Sequence, residues 1–82
     1  MNDVVEALRL AKQFETVQLY NKAVDCYNLA VHFLTLLKRK APFKQLIIMC
    51  DQKILHCVQE RSRIIKLNKQ IILKKYVLLN QK

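Results

Sequence analysis

The chain has 82 residues with no glycine, one proline and three cysteines, and it carries a formal charge of +9. Hairpin turns, phosphate loops and dinucleotide-binding turns need glycine where the backbone takes positive φ, so its absence excludes an all-β fold, a P-loop and a Rossmann unit. A chain this short forms one domain and buries only a little over half of its unfolded surface.

The first element opens at Asn2 or Asp3, either of which can cap a helix, with Glu6 in the first turn facing the positive helix end. Val4, Leu8, Ala11 and Phe14, with Ala7 beside them, recur every three or four residues and form one helical stripe. The stripe fades across Glu15-Thr16-Val17-Gln18, which marks a bend that no Gly or Pro enforces. The second helix carries a continuous row of Tyr20, Ala23/Val24, Tyr27, Ala30/Val31, Leu34 and Leu37. A second apolar row, Cys26, Leu29, Phe33 and Leu36, runs beside it and leaves only about a third of the circumference polar at about 100° per residue. Two readings are open for that second row: a central helix packed on both sides, or one wall of a groove for a guest helix. Lys38-Arg39-Lys40 suits the negative C-terminal end of the helix, and Ala41-Pro42 makes the turn.

From Phe43 onward nothing breaks the third helix. Ile47, Cys50, Ile54 and Cys57 begin a seam that continues as doublets seven residues apart: Cys57-Val58, Ile64-Ile65, Ile71-Ile72 and Leu78-Leu79. Such a repeat marks a coiled-coil-like seam. Helices of roughly 15 and 20 residues cannot cover one of about 35, so residues after about Lys66 should overhang the bundle. The expected fold is all-α: an antiparallel three-helix bundle over residues 1–67, with residues 68–82 extending the third helix.

Charge divides the chain in two. Residues 1–37 hold Arg9, Lys12 and Lys22 against Asp3, Glu6, Glu15 and Asp25, a net of −1, whereas the remainder nets +10. A basic third helix suits acidic protein segments or an anionic membrane surface. Nucleic acid is disfavoured, because Arg61, Arg63, Lys66, Lys69, Lys74 and Lys75 scatter around the helix and no readout element accompanies them. No enzyme is expected. His56 and Cys57 are adjacent and diverge by about 100° on a helix, while His32, His56 and the cysteines match no zinc spacing, so no metal or cofactor site is expected. Three cysteines without framework spacing read as reduced intracellular thiols. The acidic start lacks the basic region of a signal peptide, and no run of about 18 apolar residues could span a membrane.

Leu8-Arg9-Leu10-Ala11, the charged stretch ending at Glu15, and then Tyr20-Asn21-Lys22-Ala23-Val24-Asp25-Cys26-Tyr27 with Ala30-Val31 resemble the microtubule-interacting and trafficking (MIT) domain family. No second copy of Tyr20–Ala30 follows, which argues against a tetratricopeptide array. The resemblance covers roughly Val4 to Lys66 and implies a cytoplasmic module, recruited to endosomal or autophagic membranes, that docks helical motifs of ESCRT or autophagy proteins. On the residues themselves, the expected docking groove lies between the second and third helices. Leu29, Phe33 and Leu36 would supply its apolar wall, with Lys53 and His56 at the rim and Met49 below. The alternatives are assembly through the seam residues Ile64, Ile65, Ile71, Ile72, Leu78 and Leu79, and binding of an anionic surface.

Overall fold

The described residues form three helices: α1 (Asn2–Thr16), α2 (Tyr20–Lys40) and α3 (Lys44–Asn80). They are seen in a computed structural model that describes the backbone of residues 2–80 and the side chains of residues 2–77. The fold is the all-α, antiparallel three-helix bundle with a long third helix that the hydrophobic periods predict, and no strand occurs among the described residues. The side chains of Leu78 and Leu79, and all of Lys82, lie outside the described residues.

α1 ends in a Schellman turn. Leu19 N–H reaches back to the Phe14 carbonyl (2.8 Å) and Gln18 N–H to that of Glu15 (3.0 Å), which satisfies carbonyls the helix would otherwise leave bare. The motif needs a left-handed residue after the helix, and Gln18 takes that role at φ 63°. Glycine is the usual occupant, since a Cβ costs about 1 kcal/mol or more there. The bend therefore falls where the stripe fades, carried by hydrogen bonding rather than by a breaker residue. α2 closes at Lys40, where Ala41 turns to extended backbone and its N–H bonds the Lys38 carbonyl.

The core is built largely from small side chains. Ala7, Ala11, Ala23, Ala30, Cys50 and Cys57 are all buried, with Tyr27, Leu34 and Ile64 filling the space between them. Small residues at the contacts let helix axes come close, and the larger ones interdigitate across the layers. On α3 the buried line is Cys50, Cys57 and Ile64, spaced by seven. The doublets at 57–58 and 64–65 are thus split: Cys57 and Ile64 point inward, while Ile65 remains 48% exposed.

α2 lies against both of its neighbours. On the α3 side, Lys38 pairs with Asp51 (2.7 Å), Arg61 donates to Asn28 Oδ1 (2.5 Å) and Asn68 donates to Asn21 Oδ1 (3.5 Å). Each step back along α2 is matched by an equal step forward along α3, so the pair keeps one antiparallel register. α1 and α3 are tied by Arg63, which pairs with Glu15 (2.9 Å) and with Glu60 (3.0 Å). Its hydrogen bond holds the Glu60 carboxyl below the ordinary carboxylate range, while the two carboxylates raise the guanidinium's own pKa. The Asn21–Asn68 link is the last toward the α2 N-terminus. α3 continues from there to Asn80, about 18 Å at about 1.5 Å per residue, within a molecule 62 Å long.

Candidate functional site

The structure does not gather the six sequence-assigned docking residues into one groove. Asn21, Asn28 and Lys38, which meet α3, occupy an arc of about 100° on α2. Leu29, Phe33 and Leu36 centre about 140° away from that arc, on the flank where Lys22 Nζ lies 5.8 Å from the Phe14 ring of α1. Phe33 is half-buried against the core and stacks at a tilt on His32, with centroids 5.9 Å apart, while Leu29 and Leu36 stay exposed at the edge. On α3, Met49, Lys53 and His56 share the flank of Glu60 and Arg63, the side that faces α1. The physical reason is that α2 is the central helix. Its second apolar row lies toward the α1 side, where Cys26 and Phe33 pack on the core while Leu29 and Leu36 stay exposed.

The seam residues separate in the same way. Ile64 is fully buried and cannot contribute to an outer contact, because it falls on the line of Cys50 and Cys57. Ile71 is half-buried. Ile72 is 58% exposed, and Leu73, Tyr76 and Val77 are exposed beside it. Among the described residues α2 begins at the level of Asn68 and Lys69, so Ile72 sits at its edge and Leu73 and Val77 lie past it. Where α2 begins, an open groove of about 260 Å³ is lined by Tyr20, Val24, Ile65, Asn68, Lys69 and Ile72. Its apolar floor runs directly into the projecting part of α3. Sequence reasoning places the overhang correctly but misses this groove, since only the register of α2 on α3 reveals where the cover stops.

The projecting segment is also the most one-sided in charge. Beyond Asn68 the chain carries Lys69, Lys74, Lys75 and Lys82, and no acid. Among the described residues no group of three metal-ligating side chains comes together. Burial raises the Cys57 thiol, with Lys53 opposing it in part, and burial followed by Asp25 raises Cys26. These thiols are packing groups held in the protonated form. Among the described residues no helix is long and apolar enough to cross a membrane.

Comparison with known proteins gives the chain its family. Residues 1–78 match the "Family of unknown function (DUF5475)", and the chain belongs to it. It is also similar to the "Uncharacterized 9.5 kDa protein in HE65-PK2 intergenic region" of Autographa californica nuclear polyhedrosis virus. The two are 32% identical over 76 residues, which cover 92% of this chain and 93% of the relative. No solved structure matches. The resemblance to the MIT domain is thereby corrected, because a different family spans the whole Val4–Lys66 segment on which it rested. The Tyr-x-x-Ala-x-x-x-Tyr pattern has a simpler cause here: Ala23, Tyr27 and Ala30 are the buried edge of a central helix. ESCRT and autophagy partners rested on that resemblance alone and lose their support with it.

Proposed function

We propose that this member of the family is a non-enzymatic helical adaptor, in which a packed bundle holds out the end of α3 as the attachment point for another macromolecule. The observation that carries this reading is the exposure of Ile72, Leu73 and Val77 at the end of α3, on the most basic part of the chain. Clustered exposed apolar groups on a small protein mark contact sites. Their position supports the reading further. They continue a face that already binds a helix, whereas the bundle core is complete without them. Free cysteines buried in the core suit a reducing, intracellular setting.

A second reading places the contact on the outer row of α2, where Leu29 and Leu36 are exposed. That row is smaller and is interrupted by half-buried Phe33. One set of variants separates the two readings: a chain ending at Lys69, Ile72→Asp, and Leu29→Asp. The adaptor reading expects the first two to melt within a few degrees of the parent and to lose association with whatever binds the parent, with Leu29→Asp retaining it. Loss only in Leu29→Asp favours the second reading. If the truncated chain unfolds, the overhang is part of the core and the proposal fails.

A further inference from the structure

The side chains that α3 turns toward α2 follow a seven-residue frame. Arg61 and Asn68 occupy one slot, and each donates a hydrogen bond to an asparagine oxygen on α2, at Asn28 and Asn21. Ile65 and Ile72 occupy the next slot, four residues further on in each repeat. The following repeat puts Lys75 in the donor slot. By that level α2 has ended, since the chain turns away at Val17–Leu19, and among the described residues no helix continues it. The end of α3 therefore continues the pattern of the α2–α3 interface with one side missing.

Resting on the adaptor reading above, we infer that the missing side is supplied by an amphipathic helix of a partner protein, laid in line with α2, whose apolar edge covers Ile72 and whose acidic side chain meets Lys75. Charge and geometry select this occupant. At about 100° per residue, Lys66, Lys69, Lys74 and Lys75 spread around the whole helix, and the widest arc free of them is about 120°, between Lys69 and Lys75. That arc holds Ile65, Ile72 and Tyr76. A narrow apolar stripe with cations on both borders fits one helix with acidic flanks. A flat bilayer surface needs a broad apolar face with its cations on the opposite side, which this segment lacks. A second copy of the chain would set Lys69 and Lys75 against the same lysines, a like-charge contact that opposes pairing.

The test uses the full chain and two designed helical peptides of about three heptads with leucine and isoleucine at the core positions, one flanked by glutamate and the other by lysine. Phosphatidylserine–phosphatidylcholine vesicles and sedimentation of the chain alone complete the set. Labelled-peptide anisotropy should show the glutamate peptide binding at least about tenfold more tightly than the lysine peptide, with the preference shrinking as salt rises. Ile72→Asp should lose binding about tenfold with an unchanged thermal melt. Lys75→Glu should weaken the glutamate peptide and strengthen the lysine peptide, a reversal that unfolding cannot mimic. Equal binding of both peptides, or no reversal in Lys75→Glu, overturns the inference. So does binding of neither peptide. If the vesicles bind, or the chain dimerises, and truncation at Lys69 abolishes that, this inference fails while the adaptor reading stands.

Discussion

α3 is one uninterrupted helix with two different lives. Its first part, Lys44 to about Lys69, lies along α2 and buries Cys50, Cys57 and Ile64 without residue; its last part carries the same seven-residue repeat and leaves Ile72 58% exposed. The difference is not in the repeat but in the length of α2, which has 21 residues against 37 for α3. A hydrophobic period states that a helix face will be covered. Which partner covers it, and along how much of its length, depends on the neighbouring helices.

Substitution should separate the two parts sharply. Ile64→Ala removes a fully buried side chain and is expected to cost about 2–5 kcal/mol, read as the shift in a urea midpoint. Ile72→Ala, one heptad and one residue along, should change stability by less than about 0.5 kcal/mol. A comparable loss at both positions would break the comparison. The bundle also contains a weak joint at Gln18, held at φ 63°. Gln18→Gly should raise the melting temperature, corresponding to about 0.5–1 kcal/mol, because the left-handed turn no longer carries a Cβ. No gain, or a loss, would mean that the Schellman turn does not persist in solution.

A smaller effect concerns Arg63, which joins α1 to the covered part of α3. Removing it as Arg63→Ala should cost no more than about 1 kcal/mol near neutral pH, since all three charges touch solvent. Glu60 has a lowered pKa in the folded chain, so its stabilisation is fully present above the ordinary value of 4.5 and is lost as the pH falls through the lower folded value. The gap between parent and variant should therefore close in acid. Thermal melts at pH 7 and pH 3 measure it, and a gap that persists at pH 3 would assign the effect to packing of the arginine stem instead. Smaller still, thiol titration of the folded chain should find Cys50 and Cys57 protected and Cys26 slow, with all three reacting once the chain is unfolded.

Much of the fold is legible in the residues. The stripes give all three helices, Lys38-Arg39-Lys40 and Pro42 locate one turn, and the excess length of the last helix foretells the overhang. The bend after α1 is foretold by the fading stripe at 15–18, but its left-handed residue, Gln18, is not, since no glycine announces it. The side of α2 that meets each neighbour is also hidden, because a helical wheel gives rows of side chains but not the identity of what lies against them. Leu29, Phe33 and Leu36 form a true row, yet Asn21, Asn28 and Lys38 bind α3 from another arc of the helix. Asn21, Asn28 and Lys38 mark the register of α2 on α3 instead. The family pattern misled for a related reason: closely packed helices call for Ala and Tyr at these spacings in more than one family.

Native-state hydrogen exchange along α3 tests the central claim most directly. If the overhang is a free attachment face on a complete bundle, amides near Cys50, Cys57 and Ile64 will exchange only through global unfolding. Those from Ile71 to Val77 will exchange orders of magnitude faster in the isolated chain. Equal protection along the whole of α3 would show that its end is already covered, and would contradict the account.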